Sequence, residues 1–307
     1  MRGMLSETQQ HDYHQQGYLV LPHLFTVAEM NGLKNAANRI VDEFDPASTS
    51  AIFTTKDHST TRDDYFLNSA DKIKCFFEED AFDENGHLNQ DKSLSINKIG
   101  HALHQLDPVF TQFAEDQRIR DIAVDVGLAK PQIHQSMYIF KQPRIGGEIL
   151  WHQDASFFLT TPISVTTFWF AIEDATIQNG CLQVPAEPVD YPLREQFIRH
   201  HSATANDNAN DKDNDKDETE MRPLQDIPWP KVAVPIEIEA GGLIVFNGLL
   251  PHYSAPNLSA SSRHALTFHI TCANTSYAKE NWIQAPAKEL KDLGSVKRDR
   301  IKPGKGG

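Results

Sequence analysis

The chain has 307 residues, of which 39% are hydrophobic and 23% are charged, and this ordinary composition excludes a disordered protein. The formal net charge of −13 argues against nucleic acid or an anionic membrane as a partner, because both select basic surfaces. No apolar run is long enough to span a membrane, and the first residues lack the apolar centre of a signal peptide. We therefore expect a cytoplasmic protein whose three cysteines, Cys75, Cys181 and Cys272, are reduced.

The first third of the chain is predicted to be mainly helical. Residues 26–44 place apolar side chains at helical spacing, with Thr26 as the N-cap and Glu29 three residues later as its capping-box partner. A second helix is predicted over about residues 97–106. A third is predicted over residues 109–127, where Gly127 is typical of a helix end.

From residue 132 onward the pattern changes to short β-rich runs bounded by turn residues. Six or more strands without alternating helices indicate an antiparallel barrel or sandwich. We expect a mainly β protein with helices, in which a helical N-terminal half packs around a β core and residues 1–307 form one domain. The predicted strands lie in QIHQSMYIF (132–140), GEILWHQDASFF (147–158), SVTTFWFAIED (164–174), VAVPIEIEA (232–240), GLIVFNG (242–248) and HALTFHITCA (264–273).

An acidic stretch interrupts the β-rich part. Residues 206–220 read NDNANDKDNDKDETE, with seven acids against two lysines and no large apolar side chain. Such a segment buries too little surface to offset its ordering entropy, so residues 203–220 are predicted to be a disordered insert. A calcium loop is excluded because the regular ligand spacing and the central glycine are absent. Residues 294–307 are predicted to be a flexible tail.

A histidine and an aspartate stand two positions apart in the largely apolar run ILWHQDASFF. In an extended chain, His152 and Asp154 project to the same side, where they meet either water or a ligand. His252 follows a later strand, and Arg263 follows it by eleven residues. Two histidines and a carboxylate match the facial triad of Fe(II) oxygenases, which leaves one side of the metal open for a cosubstrate and O₂. A guanidinium inside a β barrel is costly unless it meets an anion, such as the carboxylate of 2-oxoglutarate.

Several sequence blocks together resemble one known family. From residue 18 to residue 282, apart from the acidic insert, the chain is similar to the phytanoyl-CoA dioxygenase family, and most of all to its domain-containing protein branch. The resemblance implies a double-stranded β-helix (jelly-roll) core that binds Fe(II) and 2-oxoglutarate. It is carried by SINKIGHALH, QSMYIFKQP, WHQDASFF, FWFAIEDATIQNGCL, GLIVFNGLLPH and SSRHALTFH.

The same resemblance implies roles for individual residues. The iron ligands would be His152, Asp154 and His252, and these are also the catalytic residues. Arg263 would hold the distal carboxylate of 2-oxoglutarate with help from Ser254.

Further positions match residues that line the cosubstrate pocket in the family, namely Lys98, Met137 and Trp169. Gln135 and Tyr138 are added by their proximity to Met137 in the sequence. His101 and His104, at helical spacing, are interpreted as packing or surface residues, with His104 the more favoured of the two to approach a substrate.

The implied reaction is hydroxylation of a C–H bond in a small or medium organic substrate, with release of succinate and CO₂. Asp154 favours hydroxylation over halogenation, because related halogenases replace this carboxylate by a small residue. A sensor that binds iron and 2-oxoglutarate without hydroxylating anything is an alternative, as is a cupin-like dioxygenase that needs no cosubstrate. After QNGCL the chain lacks the family's Pro-Gly-Ser-His turn, so the substrate can differ. The sequence does not define the substrate or the oligomeric state.

Overall fold

A computed structural model describes residues 3–49, 51–52, 64–187, 190–200 and 218–291. Its α-helices are α1 (Glu7–Gln16), α2 (Val27–Glu43), α3 (Asp64–Leu67), α4 (Lys92–Ser95), α5 (Leu103–Leu106), α6 (Pro108–Ala114) and α7 (Gln117–Asp125). Short 3₁₀ helices cover Pro46–Ser48, Glu79–Ala81 and Asp154–Ser156. The strands are β1 (Tyr18–Leu21), β2 (Ile73–Phe77), β3 (Ile96–His101), β4 (Pro131–Ile139), β5 (Ile149–His152), β6 (Thr160–Thr161), β7 (Thr166–Ala171), β8 (Leu182–Pro185), β9 (Glu195–His200), β10 (Glu218–Pro223), β11 (Ala233–Ile236), β12 (Leu243–Asn247), β13 (His252–Ser254), β14 (Ala265–Cys272), β15 (Ser276–Tyr277) and β16 (Lys288–Glu289).

Two antiparallel sheets form the core of the fold. The major sheet has the order β1-β12-β7-β14-β4-β3-β2, with β16 also paired to β4. The minor sheet has the order β11-β8-β13-β5. Two two-stranded antiparallel sheets, β10 with β9 and β15 with β6, complete the described strands. This arrangement confirms the predicted mainly β, jelly-roll architecture.

The two faces of the major sheet have different neighbours. Helix α2 buries Met30 and Leu33 in the same cluster as Phe168 and Phe170 of β7, so helices cover one face of this sheet. Side chains alternate along a strand, and Trp169 therefore points to the other face, where it packs with residues of the minor sheet. The space between the sheets is thus reached by every second residue of β7.

Helix α2 begins as the sequence predicts. The Thr26 hydroxyl accepts a hydrogen bond from the Glu29 backbone N–H at 3.2 Å, and the Glu29 carboxylate accepts one from the Thr26 backbone N–H at 2.7 Å. This reciprocal pair is a capping box and satisfies two backbone donors at the helix start.

The helix predicted over residues 97–106 is wrong. Residues 96–101 form strand β3, which pairs with β2 and β4, and only Leu103–Leu106 is helical. Hydrogen bonding to two neighbouring strands outweighs the local pattern here, because propensity is a weak determinant where tertiary pairing is available. The helix predicted over residues 109–127 is also divided into α6 and α7, since Asp116 caps a new helix at Gln117.

The remaining predictions fall partly inside the described residues. Residues 218–220 of the predicted insert belong to strand β10, whereas residues 203–217 and 294–307 lie outside the part that the structure describes. The three cysteines are free and buried, which confirms the prediction that they are reduced. In the described part of the chain, no helix is long and apolar enough to cross a membrane.

Candidate active site

A cavity of about 150 Å³ lies between the two sheets. Its walls are largely aromatic and aliphatic, and they include Trp151, Phe157 and Phe158, which flank the His-x-Asp pair in the sequence. Its lining contains all the residues that the sequence analysis matched to the iron site or to the family's cosubstrate pocket. These are Lys98, Met137, His152, Asp154, Trp169, His252, Ser254 and Arg263.

Three side chains with metal-binding atoms meet in this cavity. His152 ends β5, His252 begins β13, and the two residues are direct partners in the antiparallel pairing of these strands. Asp154 lies in the 3₁₀ helix that follows β5, so the strand predicted to contain both residues ends at His152. The backbone at Gln153 is still extended, and the side chains at 152 and 154 therefore converge as the alternation predicts.

The distances within this group are short and nearly symmetrical. Asp154 Oδ1 lies 3.8 Å from His152 Nε2 and 3.8 Å from His252 Nε2. One ligand atom from each of the three residues can be chosen so that all lie within 4.8 Å of one another. Within the described ranges, this is the group of histidine, cysteine and acidic side chains that could hold a metal ion.

Backbone carbonyls orient both imidazoles. His152 Nδ1 donates a hydrogen bond to the Leu150 carbonyl at 2.8 Å, and His252 Nδ1 donates one to the Leu250 carbonyl at 3.1 Å. These contacts place the proton on Nδ1 and leave the lone pair of Nε2 facing the cavity. Metal-binding histidines in proteins are commonly fixed in this way.

The protonation states suit a metal cation. Burial and the neighbouring His252 lower the pKa of His152 to about 4, so this imidazole is neutral at neutral pH. Burial acts to raise the pKa of Asp154, but the facing imidazoles of His252 and His269 hold it well below its usual range. Neutral imidazole nitrogen and ionised carboxylate oxygen are the forms that bind metals, and this mixture of nitrogen and oxygen donors suits Fe(II).

Arg263 supplies a positive charge on the same wall. It is 2% exposed, its Nη2 donates to Ser254 Oγ at 3.3 Å, and its guanidinium carbon lies 5.1 Å from the centre of the Trp169 ring. Its Nε and Nη1 have no hydrogen-bond partner among the described residues. Burial lowers the pKa of Arg263 to about 10, which still leaves it charged at neutral pH. A buried cation with two unmet donors fits an anionic ligand such as a carboxylate.

The major sheet supplies the other predicted pocket residues. Lys98 is buried on β3, and its Nζ lies 3.7 Å from the sulfur of Met137 on β4, so it is not the solvated helix residue that a helix over 97–106 would have made it. Gln135 also lines the cavity, as proposed from its proximity to Met137. Tyr138 does not, because it points to the opposite face of β4 and its hydroxyl lies 3.0 Å from His264 Nδ1.

Of the two histidines of KIGHALH, His101 lines the cavity and His104, which the sequence analysis favoured, does not. His101 ends β3 and lines the cavity, with its Nδ1 2.8 Å from Ser69 Oγ. His104 is buried in helix α5, away from the cavity lining, and its Nδ1 lies 2.8 Å from Ser136 Oγ. Both side chains are buried, as expected of packing residues, and the one that lies at the cavity is His101 on β3.

Sequence reasoning missed two polar residues next to Asp154. Thr167 on β7 and His269 on β14 both line the cavity and are direct partners in the pairing of these strands. The alternation of side chains between the two faces of a strand could have identified them. Thr167 is two residues from Trp169 on β7 and therefore shares a side of that strand with a predicted site residue. His269 stands opposite Thr167 on β14 and faces the same cavity.

Comparison with known proteins shows which family this chain belongs to. Residues 13–265 match the sequence profile of the family described as Phytanoyl-CoA dioxygenase (PhyH). The chain belongs to this family. A phytanoyl-CoA dioxygenase of Arabidopsis thaliana is 42% identical over 283 residues, which cover 92% of this chain and 94% of the plant protein. The phytanoyl-CoA dioxygenase domain-containing protein 1 of Bos taurus is 36% identical over 293 residues, covering 93% of this chain and 97% of its own.

Solved structures share the fold of this PhyH-family chain at low sequence identity. EctD from S. alaskensis, solved with 2-oxoglutarate and 5-hydroxyectoine, has a TM-score of 0.57 and 19% identity over 92% of this chain and 81% of its own. The non-heme alpha ketoglutarate dependent carbocyclase SnoK has a TM-score of 0.55 and 15% identity, covering 89% of this chain and 87% of its own. These similarities establish the jelly-roll architecture.

Proposed function

We propose that this protein is an Fe(II)- and 2-oxoglutarate-dependent oxygenase that hydroxylates a C–H bond of a small or medium organic substrate. One observation carries the proposal: the His152, Asp154 and His252 group shares a cavity with a buried Arg263 whose Nε and Nη1 lack hydrogen-bond partners in the described part of the chain. Membership of the PhyH family supports it, since relatives over nearly the whole length are named dioxygenases.

Two groups of residues have separate tasks in this proposal. His152, Asp154 and His252 bind the iron through Nε2 atoms and a carboxylate oxygen. Arg263 binds the distal carboxylate of 2-oxoglutarate, and Ser254 Oγ orients the guanidinium by accepting from Nη2. When bound, the iron supplies the oxidising chemistry that couples decarboxylation of 2-oxoglutarate to substrate hydroxylation.

The apolar walls have a third task, which is to orient the substrate and limit water. Phe157 and Phe158 follow Asp154 directly in the chain and line the cavity. Trp151 stacks on Tyr253, with ring centres 5.6 Å apart, and both also line the cavity. A substrate with an apolar or aromatic portion next to the metal fits such walls better than a highly charged one.

The proposal is tested by following 2-oxoglutarate turnover. Purified protein loaded with Fe(II) is expected to convert 2-oxoglutarate and O₂ to succinate and CO₂, with the second oxygen atom passing to a substrate. In the absence of a substrate a slow turnover is expected only when a two-electron reductant such as ascorbate is added, which reduces that oxygen to water. His152→Ala and Asp154→Ala each remove a ligand and are expected to lower the rate by more than about 100-fold, since partners outside the ligand sphere alone contribute 10–100-fold.

His87→Ala is the matched control, because His87 is an exposed histidine with 80% of its side chain accessible and lies outside the cavity lining. Its rate is expected to equal that of the wild type. Unchanged turnover in both ligand variants would refute the assignment of the site. Binding of Fe(II) and 2-oxoglutarate without any succinate would favour the sensor instead.

A further inference from the structure

We propose that Thr167 and His269 are positioning residues that hold one carboxylate oxygen of Asp154, so that the other oxygen is presented to the metal. The inference rests on the proposed function, because it concerns how the fold prepares Asp154 as a metal ligand. It adds two residues that lie outside the histidine and aspartate group itself.

The two oxygens of Asp154 face different neighbours. Oδ1 lies 3.8 Å from the Nε2 atoms of both His152 and His252, on the side where a metal would bind. Oδ2 accepts a hydrogen bond from Thr167 Oγ1. His269 Nε2 lies 3.5 Å from the same Oδ2. The structure therefore assigns Oδ1 to the metal and Oδ2 to the two positioning residues.

The fold fixes both positioning residues. Thr167 and His269 are opposite each other on β7 and β14, so one pair in the antiparallel ladder presents both side chains to Asp154. The His269 ring stacks on Phe158, with centres 4.6 Å apart and planes 18° apart, and the residue is 3% exposed. Stacking leaves the ring little freedom to rotate away from the carboxylate.

Among the described residues, no hydrogen bond holds the His269 proton on Nδ1, so the ring can carry it on Nε2. Its Nδ1 has no hydrogen-bond partner among the described residues, whereas its Nε2 faces Asp154. The separation of 3.5 Å is longer than a formed N–H···O hydrogen bond, and contacts of this kind commonly shorten when the ligand binds. A proton on Nε2 then gives Oδ2 a second donor beside the Thr167 hydroxyl.

Holding Oδ2 has a chemical consequence. A carboxylate with one oxygen engaged in hydrogen bonds binds a metal through the other oxygen alone, which keeps further coordination positions open. Partners of ligating groups contribute about 10- to 100-fold to metal affinity in other metalloproteins. We expect a loss in this range when the donor at position 269 is removed.

The test compares two variants of His269 in the full-length protein. His269→Phe keeps a flat ring to stack on Phe158 but removes the donor, whereas His269→Gln keeps an amide N–H near the position of Nε2. Anaerobic calorimetric titration with Fe(II) alone is expected to show about 10- to 100-fold weaker binding for His269→Phe. His269→Gln is expected to stay within about threefold of the wild type, a change of roughly 0.7 kcal/mol.

Equal affinity of His269→Phe and wild type would overturn the inference, as would equal losses in both variants. Should His269→Phe fail to fold, as judged by thermal unfolding without metal, Thr167→Val and Thr167→Ser form a second pair. The valine variant loses the donor to Oδ2 and is expected to bind Fe(II) more weakly than the serine variant, and equal affinities would refute the inference. Absence of Fe(II) binding in the wild type would instead refute the proposed function.

Discussion

Arg263 is a buried positive charge whose hydrogen-bond donors are only partly satisfied among the described residues. It lies two residues before the start of β14 and is almost fully buried. Its Nη2 donates to Ser254 Oγ, whereas Nε and Nη1 have no hydrogen-bond partner in the described ranges. Burying such a group costs several kcal/mol unless an anion offsets it. The fold accepts this cost on a wall of the cavity, where the Nε and Nη1 donors can meet a carboxylate.

Arg263→Lys keeps the positive charge and removes the planar fork. We expect the KM for 2-oxoglutarate to rise by about 10- to 100-fold, the equivalent of one lost charge-assisted hydrogen bond, with a smaller change in kcat. Initial rates of succinate formation at varied 2-oxoglutarate concentrations measure both constants. Arg222→Lys, at an exposed arginine on β10, is the matched control and is expected to leave both constants unchanged.

A KM that stays at the wild-type value in Arg263→Lys would show that the guanidinium does not contact 2-oxoglutarate. The same outcome would remove the distinction between this site and a cupin-like dioxygenase, since that alternative gives the arginine no role.

At the scale of secondary-structure elements, strand alternation was the most informative property of the sequence. It correctly predicted that His152 and Asp154 converge, although Asp154 itself lies in a 3₁₀ helix. The same rule, applied along β7 from Trp169, would have identified Thr167. Applied along β4, it would have excluded Tyr138, whose side chain points to the helix-covered face.

The strands that the sequence did not reveal are short, and β3 is also fully buried. Strand β3 is buried at all six residues and so shows no polar alternation that could distinguish it from a helix. The helix predicted over residues 97–106 was therefore wrong, and it is His101, on this strand, that lines the cavity. Strands β1 and β2, of four and five residues, also join the major sheet from the part predicted to be mainly helical.

The whole molecule buries several histidines that are not part of the candidate metal site. Burial lowers the pKa of His104 to about 3, and that of His134 and His264 to about 4. In the unfolded chain each imidazole binds a proton near pH 6.5. Between pH 6.5 and 4 the unfolded state therefore binds more protons than the folded state, and the free energy of unfolding falls as the pH falls.

His134→Gln is expected to reduce this dependence on pH. Denaturant unfolding of the metal-free protein between pH 6.5 and 4.5 should give a slope that is shallower by up to about 1.4 kcal/mol per pH unit. Gln keeps a polar group that can face Thr271, whose Oγ1 lies 2.9 Å from His134 Nε2. His87→Gln, at an exposed histidine, serves as the control. Its free energy of unfolding should depend on pH with the same slope as that of the wild type. Identical slopes in all three proteins would contradict burial of a neutral His134.

The two sheets together bring distant parts of the chain to one cavity. β5 and β13 of the minor sheet provide His152 and His252, while the wall opposite includes Trp169 of the major sheet. Sequence motifs predicted these residues through the family resemblance. The spacing between the sheets, and hence the shape offered to a substrate, depends on packing that no local pattern encodes.

An anaerobic crystal structure with Fe(II) and 2-oxoglutarate tests the central claim most directly. The account predicts an anomalous iron peak about 2.0–2.2 Å from His152 Nε2, His252 Nε2 and Asp154 Oδ1. It also predicts the distal carboxylate of 2-oxoglutarate against Arg263. Iron bound elsewhere, or 2-oxoglutarate bound away from Arg263, would contradict it.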